Sequence, residues 1–304
     1  YPSVPVQANY RTNIFGSLLT NTENFTVTIN PAFEEPSNNI DPNQKVVPWD
    51  GTTKKPAIDD NAKTISVSTP EELAWLAAQL GNENNQYAAY SVTLNSDLDL
   101  NDKEWTAIGN TTKFAGTFNG NNHTIKNFKG NLFNNIEKGQ VKNLVIDNAQ
   151  IFHGGAVARQ LTSGGLIENV TINKNCTFNT SNVSQIGGIV AFVHASTVNK
   201  CANNANIGGK GAIGGIVATS YSGTITNCKN TGTITAASSL PSPQYEGIGG
   251  IVGQQLYGGK IIGCINEGNI VSEAAFYFTN EGFGIGGIIG WIRYSAPMPP
   301  NANP

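Results

Sequence analysis

Charge is what this sequence has least of. Asp, Glu, Lys and Arg make up 13% of its 304 residues, about half the ~25% of an ordinary soluble protein. A net charge of −3 offers no basic face for a nucleic acid to select. No run of 18 or more apolar residues occurs, so no segment reads as a membrane-spanning helix. The opening "YPSVPVQANYRTN" lacks the charged and apolar regions of a signal peptide, and Tyr1 reads as a processed or trimmed end. Four cysteines are too few for a disulfide scaffold. Methionine occurs once, and helical periodicity is confined to one short stretch.

What the chain has in quantity is glycine, 34 residues, with much asparagine and threonine. The glycines come in a repeated phrase. "IGGIV" starts at Ile186, Ile213 and Ile248, and "IGGII" at Ile285. The segments "TVNKCANNANI" (197–207), "TITNCKNTGTI" (224–234) and "KIIGCINEGNI" (260–270) follow three of these phrases and share one pattern. Two looser copies, "QVKNLVIDNAQI" (140–151) and "LIENVTINKNCTF" (166–178), place Leu144 and Val170 where the others have Cys201, Cys228 and Cys264. Self-similarity at intervals of 26, 31, 27 and 36 residues is the signature of a stacked array.

Each period holds three short β-type runs separated by turn formers. That is the content of one coil of a parallel β-helix, whose successive coils lie about 4.8 Å apart. A propeller blade needs ~40–50 residues and four strands, so the shorter intervals argue against it. The expected fold is all-β, a right-handed parallel β-helix of about seven coils. Leu144, Val170, Cys201, Cys228 and Cys264 would then point inward, where a thiol serves as a small hydrophobe. Asn203, Asn230 and Asn266 would form a column whose amides bond from coil to coil. His194, Tyr221, Tyr257 and Tyr294 would make an aromatic ladder on another edge.

"STPEELAWLAAQLG" is the one helical stretch. The sequence predicts a helix over 69–80, with Thr69 as N-cap, Pro70 at the first helical position and Glu72 closing a capping box. Leu73, Leu76, Ala77 and Leu80 share its apolar face. A solenoid must cover the open end of its core, and this helix would do so.

The order of motifs carries a resemblance. "TPEELAWLA", "LNSDLDLNDKEWTAIG", "FAGTFNGNNHTIKNF", "LF" at 132–133 and the glycine phrases resemble bacterial surface proteins with GLUG-type repeats, common in gut Bacteroidetes, over about 64–295. The resemblance implies a right-handed β-helix on the cell surface and supplies no catalytic or ligand residues. Residues 4–33 resemble the closing strands of fimbrillin-like domains, β-sandwich pilus or adhesin modules. The organisation expected is therefore 1–33 as fimbrillin-like strands of an incomplete domain, 34–63 as linker, 64–295 as β-helix and 296–304 as tail.

Chemistry-bearing constellations are sparse. The cysteines read as buried thiols, with a disulfide between neighbouring coils as the alternative; metal binding would need clustered ligands. Asp97, Asp99 and Asp102 lack the ligand spacing of a calcium loop and read as turn-bonding groups. His123, His153 and His194 are dispersed. Glycoside cleavage needs two carboxylates about 5–9 Å apart; Glu246 and Glu281, each just before a glycine phrase, are the one pair placed to meet. Two long inserts, "TAASSLPSPQYEG" and "VSEAAFYFTNEGFG", occupy one corner of successive coils. They carry Tyr245, Phe276, Tyr277, Phe278 and Phe283, the candidate ligand-binding residues, since insertions on one face of a repeat often bind.

The expectation is an extracellular adhesion or recognition protein at the bacterial outer membrane, not an enzyme, with no cofactor or metal. Its partner would be a glycan or a host or bacterial surface protein. A β-helix polysaccharide lyase or glycoside hydrolase is one alternative. A pilus-associated subunit exchanging a strand with a fimbrial neighbour is another.

Overall fold

The computed structural model describes residues 47–83, 85–180, 185–236, 247–272 and 284–293. The chain divides into two compact units, 1–45 and 46–304, and every described residue belongs to the second. The fimbrillin-like stretch, the tail, both aromatic inserts, Tyr294, Glu246 and Glu281 lie outside the described residues.

The described part is all-β, with a single α-helix and parallel sheets. One repeat shows how the residues build it. Val190–His194 is a strand, then Thr197–Asn199, Ala202–Asn203 and Ile207–Gly209, and then Ala212–Gly214 before the pattern restarts at Val217–Tyr221. Each strand pairs in parallel with its counterpart one repeat later. His194 is level with Tyr221, Val198 with Ile225, Asn203 with Asn230, Ile207 with Ile234 and Ile213 with Ile248.

Three sheets result. Sheet one has 19 strands and includes the asparagine column. Sheet two has five: Gly154–Gly155, Gln185–Gly187, Ala212–Gly214, Gly247–Gly249 and Gly284–Gly286. Sheet three has six: Phe133–Glu137, Ala158–Thr162, Val190–His194, Val217–Tyr221, Val252–Leu256 and Ile289–Arg293.

Corners are made by backbone chemistry repeated in register. Asn143, Asn169, Lys200, Asn227 and Gly263 all have φ between 52° and 63°, which turns the chain within sheet one. Lys138, Ser163, Ala195, Ser222 and Tyr257 have φ from 46° to 61° where sheet three leads into sheet one. Asparagine enters this left-handed region at little cost, whereas most L-residues lose roughly 1–2 kcal/mol there.

The third corner explains the glycine phrase. A Cβ on Gly187, Gly214, Gly249 or Gly286 would lie 1.9–2.2 Å from the carbonyl oxygen three residues on, so only glycine fits the bend from sheet two to sheet three. The second glycine of the first three pairs, Gly188, Gly215 and Gly250, meets a neighbouring repeat instead. A Cβ on Gly188 or Gly215 would come within 2.8 or 2.5 Å of the Asn203 or Asn230 side chain.

The core is continuous through the repeats. Phe114, Phe118, Phe128 and Phe133 fill its first part, and aliphatic side chains, thiols and amides fill the rest. The column expected from the sequence is in register: Val170 lies beside Leu144, and the pairings on either side of Cys201, Cys228 and Cys264 put these three level with one another.

The helix runs from Pro70 to Gln79 and packs on the strands Thr64–Val67 and Leu98–Glu104. Leu73, Leu76, Ala77 and Leu80 are buried as predicted. The capping box differs. The Thr69 hydroxyl is buried without a partner, and the Glu72 carboxylate accepts from the Ser68 backbone at 2.8 Å and from the Lys54 ammonium at 3.1 Å. The rest of the expected linker also departs from the sequence reading over 47–63. Ala57–Asp59 pairs antiparallel with Thr64–Val67. Trp49 is buried with its ring edge-on to Trp105 at 5.8 Å. A buried indole anchors that stretch despite its proline and asparagine content.

Candidate functional site

Sheets two and three meet at the glycine bend, and their outer faces turn toward each other. Along this crease the side chains are set by register. On the sheet-two wall successive repeats place His153, Gln185, Ala212, Gly247 and Gly284. On the sheet-three wall one column reads Arg159, Ala191, Ala218, Gly253 and Gly290, and the next Gln160, Phe192, Thr219, Gln254 and Trp291.

Small residues close the downstream crease. Ala212, Ala218 and Thr219 are buried. A Cβ on Gly247 would sit 2.1 Å from the Gly253 carbonyl oxygen, and one on Gly284 2.0 Å from that of Gly290. The walls there touch through backbone.

Upstream the same positions carry long side chains, and the crease opens into a cleft of about 280 Å³. Its lining is His153, Arg159 and Gln160 from one repeat, and Gln185, Ala191 and Phe192 from the next. His153 and Arg159 are exposed; Gln160, Gln185 and Phe192 are half-buried.

The floor is held rigidly. Asn131, itself buried, donates through Nδ2 to the carbonyls of His153 at 2.7 Å and Gly155 at 2.6 Å. Gly154 between them has φ +82°, and a Cβ there would fall 2.7 Å from that same nitrogen. The turn presenting His153 is therefore specified by a glycine and a buried amide.

The charges are unbalanced. Arg159 is one of three arginines in the chain, with Arg11 and Arg293. No carboxylate among the described residues pairs with it. An uncompensated guanidinium, two amides and an exposed ring edge or face in one cleft can bind a ligand with an anionic group and polar substituents.

The sequence-predicted columns serve the frame. Asn203 Nδ2 donates to Asn230 Oδ1 and Asn230 Nδ2 to Asn266 Oδ1, both at 2.8 Å. Each amide also donates to the carbonyl two residues on, at 2.9, 2.9 and 3.0 Å. Asn203 and Asn230 are fully buried, so this chain of amides is a satisfied polar network inside the core.

All four cysteines are free thiols. Cys201, Cys228 and Cys264 each donate to the carbonyl two residues earlier, at 3.3, 3.2 and 3.6 Å. Hydrogen bonding to Cys201 raises the Cys228 pKa from 9.0 to about 12, with burial adding and the Cys264 thiol opposing. Cys264 is pushed far up as well, by Cys228 first and then by burial. Burial raises Cys176 to about 11. Such thiols are poor nucleophiles.

The aromatic ladder forms with a one-residue offset. The His194 and Tyr221 rings lie 5.0 Å apart, edge to face. Tyr257, level with Ser222 rather than Tyr221, stacks on Tyr221 at 4.5 Å from its left-handed corner. Asp97 accepts from the Thr124 backbone at 2.9 Å, and Asp99 from the Asn101 backbone at 2.9 Å and Asn127 Nδ2 at 2.7 Å. Only the Asn101 contact is a turn bond of the kind expected; the others tie Asp97 and Asp99 to the next repeat. Among the described residues no three His, Cys, Asp or Glu side chains are grouped to hold a metal ion.

Tyr245, Phe276, Tyr277, Phe278 and Phe283 lie outside the described residues, so the structure neither gathers nor separates them. The cleft was missed in the sequence. Its signal was a fifth, degenerate glycine phrase, "HGGAVARQ" at 153–160, which aligns with "QIGGIVAF" at 185–192.

Comparison with known proteins follows this geometry. Residues 209–235 match the GLUG motif, in agreement with the resemblance of the glycine phrases. Residues 92–173 match the N-terminal region of the M26 IgA1-specific metallo-endopeptidases. Residues 1–68 match a family of unknown function; nothing among these matches bears on a fimbrillin-like origin. A solved structure from Bacteroides ovatus, described as a candidate immunoglobulin A1 protease, is similar over 79% of this chain and 87% of its own, with a TM-score of 0.53 and 16% identity. At that identity the likeness is one of fold. No curated protein matches the chain.

These matches correct one expectation. The chain was read as standing outside enzymes, because no paired acids or metal ligands stood out. The match of residues 92–173 to the N-terminal region of a metallo-endopeptidase family overturns that reading.

Proposed function

We propose that the repeats wind as a right-handed parallel β-helix, and that this rigid body is the recognition region of a peptidase-type protein acting at a bacterial surface. Its task is to hold a glycan or a glycosylated protein. The GLUG and M26 N-terminal matches support this reading, as does the fold shared with the candidate immunoglobulin A1 protease. A surface that relies on amides and hydroxyls, with 13% charged residues, suits polar and uncharged ligands over most of its area.

The observation that carries the proposal is the opening of the crease between the repeats at 153–160 and 185–192. Where Ala212, Ala218 and Thr219 would close it, His153, Arg159, Gln160, Gln185 and Phe192 stand apart around a cleft. Loop and crease sites on a stiff solenoid lose little conformational freedom on binding. The inserts bearing Tyr245 and Tyr277 belong to the same proposal as a second contact region.

The test is biolayer interferometry of the intact chain against immobilised immunoglobulin A1 and mucin glycoproteins. Saturable binding to either, weakened at least about tenfold by Arg159→Gln, is expected. Absence of binding to both, at concentrations up to about 1 mM, would remove the recognition role.

A further inference from the structure

The cleft's chemistry narrows its ligand. We propose that it takes a sugar residue bearing a carboxylate, with Arg159 as the anchor; this rests on the recognition reading above.

Arg159 supplies the sign. Its guanidinium is exposed at the cleft and has no carboxylate partner among the described residues. In a chain so poor in charge, an unopposed arginine favours an anion, and its planar fork matches a carboxylate in two parallel hydrogen bonds. Lysine would present a point charge without that geometry.

The other groups select a sugar. Gln160 and Gln185 each bring a donor and an acceptor, which can serve hydroxyl or acetamido substituents. Phe192 lies one repeat below Gln160 in the same column and offers a ring against which an apolar sugar face can pack. The rungs are about 4.8 Å apart, so a saccharide ring spans the distance between the two repeats that line the cleft. A cleft of about 280 Å³ is at the low end for small-molecule sites and accommodates one residue rather than a chain.

The site is preorganised. The paired Asn131 hydrogen bonds to His153 and Gly155, and the in-register strands 158–162 and 190–194, fix the floor and one wall before ligand arrives. The anchor is on a strand and not on a loop, which favours precision over adaptability.

Isothermal titration calorimetry of the intact chain tests this with four probes: sialyllactose, a glucuronate-containing disaccharide, neutral lactose, and an acidic aspartyl peptide. The two acidic sugars are expected to bind at least about tenfold more tightly than lactose. Arg159→Gln should weaken them about tenfold to a hundredfold, with Arg159→Lys intermediate and Phe192→Ala weaker by about three- to tenfold. The melting temperature of the Arg159 variants should match the parent, since Arg159 is exposed, while Phe192→Ala, at a half-buried strand position, should melt somewhat lower but still cooperatively.

Equal binding of lactose and the acidic sugars, a preference for the aspartyl peptide, or an Arg159→Gln variant that binds as the parent does would each overturn the proposal. If the glycoprotein binding described above persists in any of those cases, recognition stands and its assignment to an acidic sugar falls. If neither the glycoproteins nor the acidic sugars bind, both fall.

Discussion

The same inner position is filled by oil in the early repeats and by hydrogen bonds in the later ones. Leu144 and Val170 give way to Cys201, Cys228 and Cys264. Ile146 and Ile172 give way to Asn203, Asn230 and Asn266. The backbone ladder continues unchanged through all of them. In the early repeats amides meet from repeat to repeat only at the corners, as Asn143 to Asn119 at 3.0 Å and Asn169 to Asn143 at 2.8 Å, while in the later ones they also meet inside the core. A slip of one residue would turn the aliphatic columns toward solvent, and in the later repeats it would also break every core amide contact.

The crease divides at the same level. Early, at 153–160 and 185–192, it carries long polar and aromatic side chains and stands open. Later two of its columns are alanine and glycine and the walls touch there through backbone, while Thr219, Gln254 and Trp291 continue the third. The cleft straddles the change: His153, Arg159 and Gln160 belong to a repeat with aliphatic inner columns, and Gln185 and Phe192 to the repeat in which Cys201 and Asn203 begin the polar ones.

Substitutions can break this contrast, beginning with the glycine bend. Gly214→Val should be the most damaging, because its Cβ would lie 1.9 Å from the Val217 carbonyl oxygen. A loss above about 4 kcal/mol, read as failure to fold or as a collapsed urea midpoint, is expected. Next comes Asn230→Asp, which keeps shape but deletes the donor to Asn266 and Gly232 and buries a charge. About 3–5 kcal/mol should be lost at neutral pH and partly regained in acid, when the carboxyl is protonated. Val170→Cys, which merely extends the thiol column into the aliphatic part, should cost less than about 1.5 kcal/mol. If the two exchanges cost the same, the distinction between the halves has no energetic content.

The thiols sharpen the contrast through pH. The folded state holds a proton on Cys228 up to about pH 12, whereas an ordinary thiol releases it near 9.0. The unfolded chain loses the proton first, so this contribution to stability is whole below about pH 9 and fades as the pH rises toward 12. The melting temperature should fall over that range, and less steeply in Cys228→Ala. Smallest is the corner effect. Ala195 sits at φ 46°, and Ala195→Gly should raise stability by up to about 1 kcal/mol, visible as a small upward shift in urea midpoint.

The columns were legible in the sequence because they depend on period alone. Cys201, Cys228 and Cys264, or the three asparagines, recur at one place in each copy, and parallel pairing turns recurrence into contact. The helix was legible from its apolar spacing. Its cap was less so, because Glu72 was drawn away from Thr69 toward Ser68 and Lys54, a partner far along the chain. The offset of Tyr257 was hidden because counting from an isoleucine cannot detect which residue takes the left-handed corner. The cleft was hidden for a deeper reason. His153, Arg159, Gln185 and Phe192 acquire meaning only when two sheets fold face to face, and their copy of the glycine phrase had lost its leading isoleucine to Gly154. The long inserts attracted attention instead, since length is visible in a sequence and an angle between sheets is not.

Side-chain amide exchange, followed by NMR, bears most directly on the registered stack from which the cleft follows. The Nδ2 protons of Asn203 and Asn230 should exchange as slowly as core backbone amides, while those of exposed Asn121 exchange at once. Rapid exchange at Asn203 and Asn230 would mean that the columns do not stack, and the arrangement of the crease would fail with them.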